Sequence, residues 1–204
     1  MARTSGRLPL SLLLVAALLP AASATAEPLR VQVPHQAGSA VRRALLSARH
    51  RLAGASCRRV LSDFDSAVEG GSLGAVLERR GATAHGHLDS LVFKDGSGRE
   101  RCARPEILAF TSVGSATVYI CPRAFVRVAE RDPVLAEMVL IHEALHTLGL
   151  GENPPTSAAI TARIEERCSD RTVAENPRAK RPPVGIDAAL WSDVPIALEA
   201  FPVE

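Results

Sequence analysis

Asp132-Pro133-Val134-Leu135-Ala136-Glu137-Met138-Val139-Leu140-Ile141-His142-Glu143-Ala144-Leu145-His146-Thr147-Leu148-Gly149-Leu150-Gly151-Glu152 is the stretch around which the rest of the chain can be ordered. Asp132 followed by Pro133 is a helix start, with a capping carboxylate and then a proline where no N–H is needed. No glycine or further proline interrupts the run before Gly149, which is a stop signal. The helix expected over 132–148 is apolar nearly all round. Leu135, Met138, Val139 and Leu145 share a face with His142 and His146, while Ile141 and Leu148 are apolar on another. Such a helix belongs at the centre of a domain.

Two histidines at i and i+4 project from one helical face, one turn apart. That spacing lets both imidazoles bind one Zn2+ at about 2.0–2.1 Å each. Glu143 projects about 100° further round, towards a water on the metal rather than the metal itself. A carboxylate there can take a proton from the water as it attacks a carbonyl, then pass it to a leaving amine. Histidines buried in such a helix need polar partners, and a metal ion satisfies both at once. The competing reading is a pair of hydrogen-bonded core histidines beside an unrelated glutamate.

His142-Glu143-Ala144-Leu145-His146 is the H-E-x-x-H arrangement of zinc-dependent peptidases. Continued to Glu152, it resembles the extended H-E-x-x-H-x-x-G-x-x-H signature of the metzincin clan of metallopeptidases, over residues 138–152. The resemblance implies that Gly149 ends the helix in a sharp turn that brings Glu152 back to the metal as third ligand. A related subset of the clan carries an acidic residue at this point, and two histidines plus a glutamate is a known catalytic set. The chain departs from the clan downstream of the motif, where no methionine stands; its methionines are Met1 and Met138. In the thermolysin-like zincins a glutamate on a second helix, roughly 20 or more residues on, completes the site. Glu165 and Glu166 fall in that range, on a helix expected over 156–168. Ile160, Ile164 and Cys168 define the inward face of that helix. Glu166 lies about 160° and Glu165 about 100° from Ile164. Glu152 is therefore preferred, with Glu165 or Glu166 as the alternative.

The chain is thus expected to be an α+β, zincin-like domain with a central active-site helix, a short antiparallel hairpin or sheet and flanking helices. Its expected cofactor is Zn2+ on His142, His146 and Glu152, with Glu143 as general base and a peptide or protein as substrate. Two other classes compete. One is an exported zincin-like domain that binds metal or a partner without turnover, against which Glu143 speaks, since binding needs only the ligands. The other is a small disulfide-stapled interaction domain.

Working outward, Ile107 to Thr111 and Thr117 to Cys121 are β-rich runs around Val113-Gly114-Ser115-Ala116, a hairpin pattern. By resemblance to zincins, a strand above the active helix pairs with extended substrate, and 117–121 is the expected edge. Tyr119, Arg123 and His87 are the candidates for stabilising an oxyanion. Val41, Leu45, Leu46 and Leu52 against Arg42, Arg43, Arg49 and Arg51 predict an amphipathic helix over 38–53 with a solvated basic face. Asp63 to Gly71 reads as a loop, 72–80 and 123–131 as short helices, Leu91 to Phe93 as a strand and Asp95 to Gly98 as a turn. His85-x-His87 would form a second metal pair only on a strand, where alternate residues share a face; exposed loop histidines are the simpler reading. His35 and His50 are isolated and receive no role.

At the N-terminus Arg3 and Arg7 precede an apolar run from Leu8 to Leu19, followed by Ala22-Ser23-Ala24 and Ala24-Thr25-Ala26. This is the order of a secretory signal peptide, expected over 1–26. The apolar run falls short of the roughly 20 residues that cross a bilayer, so no stable membrane insertion is expected. The domain is then 27–170, and 171–204, with five prolines and Trp191, is an irregular tail with a short helix near Asp187 to Trp191. In a secreted or periplasmic chain, Cys57, Cys102, Cys121 and Cys168 suggest two disulfides. Three connectivities are open, and Cys102–Cys121 with Cys57–Cys168 is the favoured one. The net charge of +2 comes down to Arg3 and Arg7, which leaves no electrostatic ground for nucleic-acid binding. With 204 residues, 47% hydrophobic and 23% charged, the chain is globular, and at 3% aromatic its core must be aliphatic. Nothing in the sequence sets an oligomeric state.

Overall fold

The computed structural model describes residues 29–169. The expected signal peptide at 1–26 and the tail at 171–204, with its helix near 187–191, lie outside the described residues. Within them the fold is α+β: a four-stranded sheet with helices packed on one another beside it. The strands are β1 (Arg30–Gln32), β2 (Val92–Asp95), β3 (Ala109–Thr111) and β4 (Thr117–Ile120), in the order β1-β2-β4-β3. The expected hairpin is present, with β3 and β4 antiparallel. The sheet is wider than that hairpin. β2 joins β4 and β1 joins β2, both in parallel. β4 is therefore flanked on both sides, and β3, not 117–121, is the hairpin strand at an edge of the sheet, with β1 at the other. A hairpin pattern shows which two strands pair but not which of them meets the rest of the sheet.

The helices are α1 (His35–Ala53), α2 (Ala55–Arg58), α3 (Leu73–Arg79), α4 (Ala84–Ser90), α5 (Pro122–Arg131), α6 (Pro133–Thr147) and α7 (Ser157–Cys168). Asp132 caps α6, its side chain accepting the Leu135 N–H at 3.0 Å, and Pro133 is the first helical residue. Eleven of the fifteen α6 residues are buried, so the helix is central. In α1 the buried stripe is Ala37, Ala40, Val41, Ala44, Leu45, Ala48 and Leu52. Leu46, placed on that stripe by its apolarity, is 56% exposed. Alanines at three- and four-residue spacing carry the face instead, because small side chains let neighbouring helices approach closely. No helix among the described residues is long and apolar enough to cross a membrane.

The arginines of α1 are not one solvated face. Arg42 and Arg43 are exposed, but Arg49 pairs with Asp89 of α4 at 3.0 Å. Arg51 bonds Glu137 of α6 at 2.6 Å and the Cys168 carbonyl at 2.8 Å. The Arg51 and Glu137 side chains are only 13% and 9% exposed. Removing one partner of a buried pair costs about 3–5 kcal/mol, because a desolvated charge loses its counterion. Glu137→Ala should lower unfolding stability by about that amount in a chemical denaturation titration; a loss below 1 kcal/mol would show the pair to be dispensable. Both favoured disulfides are formed, Cys57–Cys168 and Cys102–Cys121. The first spans 111 residues and ties α2 to the end of α7.

Candidate metal centre

The site is built by the way α6 ends. Gly149, at φ 98°, takes a conformation that side-chain-bearing residues rarely adopt. Its N–H bonds the His146 carbonyl at 2.9 Å, and the Leu150 N–H bonds the Leu145 carbonyl at 3.2 Å. These two bonds form a Schellman cap, which reverses the chain after the last turn. A Cβ at Gly149 would also collide with the Ser66 hydroxyl. The loop 63–71 is thus a clamp on this turn, with the Ala67 N–H bonding the Gly149 carbonyl at 2.8 Å. Arg167 of α7 anchors its start through Asp63, at 2.8 and 3.1 Å. That hydrogen-bonded guanidinium holds the Asp63 carboxyl below its usual pKa.

The reversal brings Glu152 back to the histidines. Glu152 Oε1 lies 3.4 Å from His146 Nε2 and 3.8 Å from His142 Nε2, and the two Nε2 atoms are 3.0 Å apart. His142, His146 and Glu152 form a group that could hold a metal ion. One ion about 2.1 Å from each donor, at tetrahedral angles, would set the donors about 3.4 Å apart. The observed triangle brackets that spacing. The tautomers suit it as well. His146 Nδ1 is 2.7 Å from the Leu150 carbonyl, which can only accept, so the Nδ1–H donates and Nε2 keeps its lone pair for the site. His142 Nδ1 is 3.1 Å from Thr161 Oγ1 on α7. Glu165 and Glu166 do not reach the group: both are exposed, and Glu166 pairs with Arg163 at 3.0 Å.

Electrostatics follow from this packing. When their rings are protonated, His142 and His146 can donate Nε2–H to Glu152, which holds its carboxyl far below the usual range. Burial works against a charged His146, but Glu152, Glu143 and the Leu150 carbonyl outweigh it and raise its pKa. Glu143 is 7% exposed. Burial raises its pKa, against the opposing pull of His142 and His146. A buried carboxylate of raised pKa is a stronger proton acceptor than one in water.

His85 and His87 do not form a metal pair. They lie on α4, not on a strand, and two residues of a helix point about 200° apart. His85 Nε2 faces Thr83 Oγ1 at 3.4 Å. His87 is buried, its Nε2 2.7 Å from Thr147 Oγ1. The Thr147 hydroxyl donates to the Ala144 carbonyl at 2.7 Å, so His87 Nε2–H is the donor to it. His87 thus braces the last turn of α6 beside His146 and is spent as an oxyanion donor. Tyr119 is engaged by Arg99 at 3.1 Å, and Arg123 is exposed on the first turn of α5.

Burial pushes the His87 pKa down to about 4 from 6.5. The unfolded chain therefore takes up this proton first as the pH falls. The stability involved is complete above pH 6.5 and is lost as the pH falls towards 4. It is on the order of 3 kcal/mol. His87→Gln, which keeps a donor to Thr147 without titrating, should show a smaller stability loss between these pH values in denaturant titrations.

Thr161 and His87 were not assigned these supporting roles from sequence. Thr161 stands three residues before Ile164, on the inward side of α7, which was a readable signal. No known protein family, curated protein or solved structure matches this chain.

Proposed function

We propose that this protein is an exported zinc-dependent peptidase that cleaves peptide bonds in a peptide or protein substrate. The observation that carries the reading is the His142–His146–Glu152 triangle, with donor separations of 3.0 to 3.8 Å and Glu143 buried beside it. Two imidazoles and one carboxylate suit zinc better than calcium or magnesium, which take all-oxygen shells. Three protein donors leave a fourth position open, as catalytic rather than structural zinc sites do. When bound, zinc supplies Lewis acidity, polarising a carbonyl and bringing the pKa of a water to about 7.

The chain's own residues would do the rest. His142 and His146 present Nε2 lone pairs held in register by Thr161 and Leu150. Glu143 accepts the proton of the attacking water and passes it to the leaving amine. Outer strand β3 offers a peptide its unpaired backbone groups. The Cys121 N–H bonds the Leu108 carbonyl, so 108/121 and 110/119 are the hydrogen-bonded pairs. The N–H and C=O of Ala109 and Thr111 then point away from β4. Ala109 is 5% exposed, so the open part of this edge runs from Phe110 to Val113. The loop beyond it meets α6 directly, the Gly114 N–H bonding the His146 carbonyl at 2.9 Å. Secreted or periplasmic export is supported by the two disulfides.

Metal analysis of the purified protein, followed by cleavage of a mixed peptide library with added zinc, tests the reading. One zinc per chain and peptide products are expected. Zinc without cleavage would leave a metal-binding domain, and no zinc even after reconstitution would leave neither.

A further inference from the structure

The face of the sheet turned away from the buried core carries a row formed by Gln32, Lys94, Tyr119 and Phe110, in register across all four strands. The Tyr119 and Phe110 rings stack, with centroids 5.3 Å apart and planes 20° from parallel. Two guanidiniums lie against these rings: Arg99 at 4.5 Å from the Tyr119 centroid and Arg101 at 5.5 Å from that of Phe110. Ring contact holds the cations in place while leaving N–H groups for another acceptor. Their segment is tied to the end of β4 by the Cys102–Cys121 disulfide. Glu100 is the acidic side chain between them, one carboxylate beside two cations.

Phe110 is on β3, at an edge of the sheet. In a peptide added alongside β3, the residue opposite Phe110 shares its face, with Cβ atoms about 4.5–5.5 Å apart. That side chain falls against the Phe110 ring and next to the Arg101 guanidinium. We infer that Arg101, with Arg99, selects an acidic residue in an extended substrate at the position opposite Phe110. The substrate class is then a peptide with Asp or Glu flanking the cleaved bond. This inference rests on the peptidase reading. The loop that follows Phe110 meets the end of α6, the Gly114 N–H bonding the His146 carbonyl at 2.9 Å, so this strand edge runs up to the helix that carries the two histidines.

The test uses the full mature protein carrying Glu143→Gln, loaded with zinc, so that binding is read without turnover. Fluorescent decapeptides identical except for a central Glu, Gln or Lys are titrated by anisotropy. The Glu peptide should bind at least about tenfold more tightly than the Gln peptide, as expected for a charge-assisted bidentate contact. In the double variant Arg99→Gln, Arg101→Gln that difference should vanish, and Arg101→Glu should favour the Lys peptide. Both side chains are exposed, and circular dichroism checks that each variant is folded. Equal binding of Glu and Gln peptides, or a preference that survives in the double variant, overturns the inference. Binding of no peptide by a zinc-loaded protein overturns it too while leaving the metal site intact. Loss of zinc binding as well overturns the peptidase reading itself.

Discussion

Glu152→Ala protein is expected to purify without zinc, while Glu165→Ala and Glu166→Ala proteins keep one per chain. Glu152 Oε1 sits 3.4 and 3.8 Å from the two imidazole nitrogens, and its charge is the only formal negative charge among the three donors. Its removal leaves two neutral imidazoles and an incomplete shell. Loss of an outer-shell partner alone costs about 10–100-fold in metal affinity, so loss of a ligand should cost more than about 100-fold. Glu166 is 59% exposed and held by Arg163, so its loss touches nothing at the site. Chelator competition on the purified variants reads the difference. Zinc lost from Glu166→Ala but kept by Glu152→Ala would move the centre to the second-helix arrangement. The wild-type protein should also release zinc between pH 8 and pH 4, because both imidazoles bind only when neutral. A metal content flat over that range would count against histidine ligation.

The second large effect falls on turnover. Glu143→Gln should keep zinc stoichiometry and fold yet lose about 10²–10⁴ in kcat, the range that a positioned proton acceptor supplies. The amide has nearly the same shape but cannot take the proton from an attacking water. Stability should hold or rise, since the substitution removes a carboxylate from a site that is 7% exposed, where its charged form is disfavoured. Steady-state rates on any peptide found in the library screen decide this. A variant as fast as the wild type would remove Glu143 from the chemistry and turn attention to another base.

His87 and Glu137 fall outside the donor group yet are placed to hold α6. One braces its last turn through Thr147, and the other ties its first half to Arg51 of α1. Substitutions at these positions should act on stability, whereas those at Glu152 and Glu143 should act on metal and rate. The two classes of measurement can therefore be separated.

What was legible along the chain is what depends on near neighbours. Asp132 and Pro133 opened α6 where expected, and Gly149 closed it, because capping is a matter of four or five residues. The pairing of His142 with His146 follows from helical periodicity, and the return of Glu152 from a three-residue turn whose geometry only glycine readily allows. Thr156 likewise capped α7, and the inward line Ile160, Ile164 and Cys168 is buried. Local pattern failed where a side chain's surroundings come from distant segments. Leu46 is exposed and Arg51 half-buried because the faces of α1 are set by α4, α5 and α6, which pack against it, not by the hydropathy of α1 alone. Histidines at 85 and 87 took a helical rather than a strand spacing once Thr83 capped α4. Above all, the sheet order could not be read from the hairpin. Which strand ends at an open edge depends on parallel pairing of β2, more than 20 residues away in sequence, with β4. Only that pairing encloses β4 and leaves β3, with Phe110 on it, at an edge of the sheet.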